Sequence, residues 1–220
     1  MLDVIFYAAM TLCALFSFHL GLRLYFRKSA PLYVLMIVFG IGCAMLGRMF
    51  ETLMLLTKHE IQSGFHVGLL GVLGSFMFFM AANYGAMDAL VDDGSKELRK
   101  YRLISLGAPL IILAIYLFYL SRVGFGAGAI VNGILTLVIM QASYFHLKHL
   151  IIPDIEEGFI HYIRHYNLVA LIYALLCMIE IVTNAVNIPD VFRYVLDVAF
   201  CVVYATFIPV LYKGVKQWTI

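Results

Sequence analysis

Seven long apolar runs divide this chain, and each is long enough to cross a lipid bilayer as an α-helix. The runs occupy about residues 4–24, 31–57, 65–91, 103–121, 126–149, 166–188 and 192–212. About 20 mostly apolar residues in a helix span the hydrocarbon core of a bilayer. Because only 13% of the residues are charged, too few charges remain to cover the surface of a water-soluble domain. We therefore predict an all-α membrane protein, in which residues 1–220 form one domain of seven transmembrane helices.

Lysine and arginine residues are distributed unevenly between the two ends of these runs. Eleven lie at the end that also carries the C-terminus, three lie at the opposite end, and Arg48 lies inside the second run, out of 15 in all. We call the first of these ends the basic end. In each run, the half nearer the basic end is the inner half, and the half farther from it is the outer half. Basic loops favour the cytoplasm. We therefore predict a cytoplasmic C-terminus, an external N-terminus and a location in the plasma (inner) membrane.

A seven-helix chain with an external N-terminus resembles the heptahelical receptors and the seven-helix sensory regions of some bacterial signalling proteins. The resemblance covers topology alone, and topology does not establish function. It implies a role in sensing a ligand. Opsins hold retinal on a lysine midway along the last helix, but the last run here has no lysine before Lys213. We therefore predict no retinal Schiff base and, apart from a metal ion discussed below, no cofactor.

Four ionisable residues lie within the outer halves of three runs. Arg48 and Glu51 are in the second run, Glu180 is in the sixth and Asp197 is in the seventh. A charge that faces lipid at mid-membrane costs about 2.5 kcal/mol or more, so such residues face the interior of a bundle and find partners there. We therefore predict that Arg48 pairs with one or more of the three carboxylates.

Other polar residues lie on the same helix faces as these ionisable residues. In the sixth run Asn184 follows Glu180 by four residues, and in the seventh Tyr194 precedes Asp197 by three. Residues at these spacings share one face of a helix. The fifth run adds Asn132 from its outer third. We predict a ligand-binding site in the outer half that consists of Arg48, Glu51, Asn132, Glu180, Asn184, Tyr194 and Asp197.

The excess of acidic groups in this predicted site suggests what it binds. One arginine among three carboxylates leaves a charge near −2 if all are ionised, so either a carboxylate is protonated or a cation completes the balance. The leading hypothesis is a receptor or sensor that binds a small cationic ligand or ion. The first alternative is a small transporter that uses the same carboxylates as a proton or cation relay. That alternative needs a polar route through the inner half, where the runs offer mainly His19, Asn83 and Gln141. The simplest interpretation is an interhelical clamp without a ligand.

Four histidines near the basic end suggest a second alternative. His146 and His149 are three residues apart, and His161 and His165 are four apart. On helices either spacing places two imidazoles on one face, as metal ligation requires. A membrane metalloenzyme could use these four residues. We favour instead a solvated interfacial loop whose histidines balance nearby acidic residues, without a bound metal and without enzymatic activity.

The connecting segments are too short to form a further domain. A receptor of this kind would therefore act through a separate cytoplasmic signalling partner or through self-association, and the mixed-charge segment 88–102 is a candidate surface. Besides that partner we expect contacts with the lipid bilayer and with a small-molecule or ion ligand, and none with nucleic acid.

Small residues recur along the third run at steps of three and four. Gly68, Gly71 and Ser75 lie in its first half. Because apolar surfaces gain little by leaving lipid, close backbone contact through small residues is what holds membrane helices together. We therefore predict that the third helix packs closely against a neighbour along this face.

Overall fold

The structure, a computed structural model, describes residues 2–28, 31–58, 65–153, 159–186 and 188–218. Its regular elements in this part of the chain are all helices, and the predicted all-α class is confirmed. The α-helices are α1 (Leu2–Lys28), α2 (Leu32–Lys58), α3 (Val67–Ala81), α4 (Asp88–Val91), α5 (Arg99–Ser105), α6 (Gly107–Val123), α7 (Ala127–Ile151), α8 (Phe159–Ala185) and α9 (Asp190–Trp218). A π-helical segment, Ala82–Met87, joins α3 to α4.

Seven stretches are long and apolar enough to cross a membrane, as predicted. They are Leu2–Phe26, Leu32–Lys58, Val67–Tyr84, Arg99–Val123, Ala127–Ile151, Ile163–Ala185 and Asp190–Lys213. Large apolar side chains are exposed along them, among them Leu12, Leu110 and Leu137. Apolar surface of this extent is unfavourable in water. These features indicate an integral membrane protein.

The helix ends follow from local sequence. At the start of α2, Val34 donates its N–H to the carbonyl of Pro31 at 3.0 Å. At the start of α3, the N–H of Leu69 donates to Nδ1 of His66 at 3.3 Å, which satisfies a backbone group that has no partner within the helix. At the end of α6, Gly124 adopts a φ of 77°, a conformation that glycine tolerates best.

Two spans differ from the regular helices that their apolar runs predict. The third run was predicted as one helix over 65–91, but it changes to π-helix at Ala82, where the N–H of Asp88 donates to the carbonyl of Asn83. The fourth span begins at Arg99 rather than near residue 103, and Leu98, directly before it, is buried. Hydropathy does not detect either feature. Five of the six π-helical residues carry no strongly polar group, so the run continues through them, and three of the four residues 99–102 in the added turn are basic.

Six helices form a closed ring, in the order α1, α2, α3, α7, α8, α9 and back to α1. The remaining long helix, α6, packs outside this ring against α7 and α8. Fully buried aromatic side chains fill the centre of the ring. Phe76 stacks on Tyr173 with ring centres 4.9 Å apart, and Phe79 stacks on Phe207 at 5.2 Å. These rings separate the outer half of the bundle from the inner half, which adjoins the basic end.

The predicted orientation can be tested with single cysteines at opposite ends of the bundle. Asp190 and Glu97 are both exposed, and the orientation predicted from the basic residues would put Glu97 in the cytoplasm. In intact cells we expect a membrane-impermeant maleimide to label Asp190→Cys, and to label Glu97→Cys only after permeabilisation. Both variants need a background in which the four native cysteines are replaced. The opposite pattern of labelling would reverse the orientation.

Candidate functional site

Glycines let α2 and α3 lie in backbone contact, and this contact positions the acidic residues. A Cβ atom on Gly71 would lie 2.6 Å from the Cα atom of Gly47. A Cβ atom on Gly68 would lie 2.5 Å from Oε1 of Glu51. Glycine at these positions therefore makes room for the neighbouring backbone and for the Glu51 carboxylate. The close packing predicted for the third helix is confirmed.

Arg48 lies one turn before Glu51 on α2, and its side chain points into the bundle, where the residue is 1% exposed. Its Nη1 atom donates to Oε2 of Glu51 at 2.9 Å and to Oε1 of Glu180 at 2.6 Å. Its Nη2 atom donates to Oε2 of Glu180 at 2.6 Å, which completes a bidentate pair between α2 and α8. The predicted pairing of Arg48 is therefore confirmed for Glu51 and Glu180. We call these three residues the ion-pair triad.

Aromatic side chains surround the guanidinium group of Arg48. Its Cζ atom lies 4.6 Å from the ring centre of Phe200 and 5.6 Å from that of Tyr7. Its Nε atom donates to the hydroxyl of Tyr204 at 3.4 Å, and that hydroxyl donates to Tyr173 at 3.5 Å. Contacts between a cation and aromatic rings strengthen where water is excluded. Phe200 had no sequence signal, because an aromatic residue in an apolar run is ordinary.

Asp197 lies near the triad on α9 but is not joined to it. The residue is 8% exposed, and it makes no hydrogen bond or ion pair with any residue that the structure describes. Arg48 attracts its carboxylate, while Glu180 and Asp3 repel it. Since Arg48 is already bound by two carboxylates, Asp197 adds a second uncompensated negative charge to the region. A charge buried in this way is costly without a partner.

The other predicted site residues do not contact the triad. Asn132 donates to the hydroxyl of Tyr119 at 2.9 Å and links α7 to α6. Tyr194 stacks on Phe6 with ring centres 5.0 Å apart, nearer the external end predicted for the bundle. Asn184 is exposed. Of the seven predicted residues, the structure therefore brings three into direct contact and places Asp197 beside them.

A second polar cluster lies in the inner half, at a depth that the sequence analysis predicted to be poor in polar groups. Nδ1 of His146 on α7 lies 2.8 Å from Oδ1 of Asn167 on α8 and 3.0 Å from Nδ2 of Asn83 in the π-helical segment. All three residues are fully buried. We call them the inner polar cluster. Their shared signal in the sequence is that each lies in the inner half of its run.

The structure removes two of the three residues that could line the polar route of a transporter, and it corrects the predicted histidine loop. His19 and Gln141 are exposed on the outside of the bundle, so neither belongs to an internal route. His146 and His149 are not in a solvated loop, because α7 continues to Ile151 and keeps their shared face inside the bundle.

The four histidines also do not assemble as a metal site in the described residues. His165 is exposed on α8, and the side chain of His161 lies outside the described residues. Within the part of the chain described, no three histidine, cysteine, aspartate or glutamate side chains are grouped so that they could hold a metal ion. His146 and His149 are instead hydrogen-bonded to Asn167 and Asp88.

Ion pairs fasten the segment between α4 and α5 onto the basic end. Nε and Nη2 of Arg102 donate to the two carboxylate oxygens of Asp92 at 2.8 and 2.9 Å. Lys148 of α7 pairs with Asp88 and, at 3.2 Å, with Asp92. Burial raises the pKa of Asp92, but hydrogen bonds from Arg102, the Gly94 N–H and Lys148 lower it by more, so its pKa lies below the usual value.

The stabilisation from Asp92 should depend on pH with a definite sign. A carboxylate whose pKa is lowered by folding stabilises the protein above its unfolded-state pKa, near 3.9, and loses this contribution as pH falls through the folded-state value. We expect Asp92→Asn to reduce the free energy of unfolding by about 1–3 kcal/mol at neutral pH, and by much less at a pH below the folded-state pKa of Asp92. Denaturant unfolding in detergent measures both. Asp93→Asn, at an exposed position, is the control, and a loss that is equal at both pH values would contradict the account.

Comparison with known proteins identifies no relative. No protein-family model, no curated protein and no solved structure matches the chain. The function must therefore be argued from the two polar sites themselves.

Proposed function

We propose that this protein is a heptahelical membrane receptor or sensor that binds a small cationic ligand or an inorganic cation in the outer half of its bundle. Asp197 carries the proposal. Its side chain is almost buried, lacks a hydrogen-bond or ion-pair partner within the described residues, and lies beside a triad whose single positive charge is already shared by two carboxylates. A cation at Asp197 would remove the charge imbalance.

The surroundings of Asp197 favour a cation that arrives from the external end predicted by the charge distribution. Asp3 and Asp190 are exposed at that end, and Arg193 is the basic residue there that acts electrostatically on Asp197. Like charges gathered at the mouth of a site raise the local concentration of ions of opposite charge. The aromatic rings of Tyr7 and Tyr194 lie in the same region, and such rings bind organic cations well.

A thermal-stability screen of the purified protein tests this proposal. Amines, alkali ions and divalent ions would each be added to wild type and to Asp197→Asn. A ligand that binds only the folded state raises stability by mass action, by about 2.7 kcal/mol at a hundredfold excess over its dissociation constant. We expect at least one cation to stabilise wild type and not Asp197→Asn.

Glu97→Gln is the matched control for this screen, because Glu97 is an exposed acid at the basic end. It should respond to the cation as wild type does. If no cation stabilises wild type, or if Asp197→Asn gains as much as wild type, the binding proposal fails. The triad would then remain as an interhelical clamp.

A proton-coupled transporter is the second candidate. The observation that favours it is the fully buried inner polar cluster, which supplies polar groups on the inner side where the sequence analysis expected few. The sensor is the better-supported candidate because the stacked rings of Phe76, Phe79 and Phe207 fill the space between the two polar sites. Such a layer opposes the passage of an ion, whose transfer into apolar surroundings is costly.

A further inference from the structure

We propose that His146 is a proton-binding site in the inner half of the bundle, and that it exchanges protons with the basic end through His149 and Asp88. The site is separate from the cation site proposed at Asp197. Nothing in it depends on a ligand in the outer half, so either proposal can fail without the other.

Asn167 determines which ring nitrogen of His146 carries the hydrogen in the neutral state. Nδ2 of Asn167 donates to the carbonyl of Ile163 at 3.1 Å, which fixes the orientation of the amide. Its Oδ1 therefore faces Nδ1 of His146, at 2.8 Å, and an amide oxygen can only accept. Nδ1 must then carry a hydrogen whether the ring is neutral or protonated. Nε2 is the atom that gains or loses the proton.

Asn83 can satisfy Nε2 in both charge states. Its Nδ2 lies 3.0 Å from Nδ1 and 3.4 Å from Nε2 of His146. Because Nδ1 carries a hydrogen, only Nε2 can accept from this amide in the neutral ring. Its Oδ1 is buried and has no hydrogen-bond partner among the described residues. The two ends of a primary amide are nearly isosteric, and one accepts while the other donates. A half-turn of the Asn83 amide would therefore present an acceptor to the Nε2–H group of the protonated ring.

Asn83 lies in the π-helical segment that joins α3 to α4. In a π-helix the backbone bond spans five residues, and such segments are rare and recur at functional sites. Here the bond runs from the N–H of Asp88 to the carbonyl of Asn83. This bond therefore joins the backbone of Asn83, which contacts His146, to the backbone of Asp88, which contacts His149.

His149 and Asp88 lead from this cluster to the basic end. Nε2 of His149 lies 3.1 Å from Oδ1 of Asp88, whose side chain is 24% exposed. Nδ1 of His149 and the hydroxyl of Tyr166 are buried without a partner among the described residues, as is Oδ1 of Asn83. Tyr166 lies edge-on to His146 at 5.6 Å between ring centres. The proposed route runs from Nδ1 of His149 past these buried polar groups to Nε2 of His146.

The charged groups of this region lie around His149, at the basic end. Asp88 is the charged group in contact with His149, and Asp92, Lys148, Arg102 and Arg164 lie around it at the basic end. Burial raises the pKa of Asp88, but hydrogen bonds from His149 and Lys148 lower it by more, and its pKa is below the usual value. The ionised carboxylate, which Lys148 also contacts, therefore attracts an imidazolium at His149 while the proton passes. Toward the outer half, the ring of Phe79 lies against both His146 and Tyr166, so the proton returns by the route it came.

Nitrogen NMR of histidine-labelled protein in lipid nanodiscs tests the site directly. His146→Gln identifies the signal of His146 by its loss, and His165→Gln, at an exposed position, is the control that leaves that signal unchanged. We expect the neutral ring to carry its hydrogen on Nδ1, and Nε2 to become protonated as the pH is lowered. A neutral ring with its hydrogen on Nε2 would overturn the proposal, and this result needs no variant at Asn83.

Two variants of Asn83 should move the titration of His146 in opposite directions. Asn83→Leu removes the acceptor for the protonated ring and should lower its proton affinity about tenfold or more, while Asn83→Asp supplies a carboxylate and should raise it by a similar factor. Equal midpoints in the two variants, or a ring that stays neutral from about pH 4 to pH 9 in both wild type and Asn83→Asp, would overturn the proposal.

The proton route can be tested in sealed vesicles in which all molecules have one orientation. Acidifying only the compartment at the basic end should protonate His146. Protonation from the opposite compartment alone would overturn the route.

Discussion

Arg48→Ala should lower the free energy of unfolding by about 3–5 kcal/mol, the cost of breaking a buried ion pair by removing one partner. The side chain binds Glu51 and Glu180 through three short hydrogen bonds and is 1% exposed. Its removal leaves two carboxylates without a cation, and it removes the cation from the rings of Phe200 and Tyr7. Arg48→Lys should lower the free energy of unfolding by less than Arg48→Ala, because the positive charge remains. It should still be less stable than wild type, because an ammonium group cannot reproduce the bidentate geometry.

Arg122→Ala is the matched control for this series. Arg122 is an exposed arginine that lies over the ring of Phe118 near the end of α6, and surface substitutions usually change stability by about 0.5 kcal/mol or less. Unfolding in mixed detergent and denaturant would measure all three variants. An Arg48→Ala variant as stable as wild type would mean that the triad does not hold α2 to α8.

Gly71→Ala should be nearly as damaging, at about 3 kcal/mol, the upper part of the range for overpacking. A Cβ atom at this position would lie 2.6 Å from both the Cα atom of Gly47 and the carbonyl oxygen of Cys43. These are backbone atoms, so no side-chain rotation can relieve the clash. The two helices must separate, and the separation would also withdraw Glu51 from the site that Gly68 leaves open for it.

Gly128→Ala on α7 is the control for this change, because no heavy atom lies within 4 Å of the position that the added methyl group would take. Alanine has the higher helix propensity, by about 0.8–1.0 kcal/mol in a helix interior, so this variant should be as stable as wild type or more stable. If both alanine variants have the same stability, α2 and α3 do not rely on backbone contact at Gly71.

The sequence predicted the architecture well because hydropathy and length determine it. Each apolar run is long enough for one crossing, and the seven spans agree with the predicted ones to within a few residues at most ends. The departures are the π-helical turn at Ala82 and the early start of the fourth span at Arg99. Both depend on which groups are buried by neighbouring helices, and a single run contains no information about its neighbours.

The triad could be predicted only in part, for a similar reason. Arg48 and Glu51 share a helix face, so their pairing follows from spacing alone. The choice of Glu180 over Asp197 as the second partner depends on how α8 and α9 are rotated in the ring. Gly47 and Gly68 set the distance between α2 and α3. The sequence shows the small residues of the third run, but it does not show that Gly47 on α2 is their partner.

The inner polar cluster was the largest omission. From sequence, Asn83 belongs with His19 and Gln141 to the few polar residues of the inner half, and His146 is predicted to lie in a loop. Their contact needs three helices to bring groups from similar depth to one point, together with the π-helical turn that carries Asn83. The available signal is a polar residue in the inner half of each of three runs. Depth alone does not specify the direction of a side chain around its helix.

The most direct test of the proposed function is the stability of Asp197→Asn without added ligand, compared with that of Glu180→Gln. If Asp197 carries an uncompensated charge that awaits a cation, neutralising it removes repulsion from Glu180 and Asp3, and the variant should be as stable as wild type or more stable. Glu180→Gln should be less stable, because it weakens the bidentate pair with Arg48. A clear loss of stability in Asp197→Asn would show that this carboxylate is already a structural partner, and would contradict a cation site at Asp197.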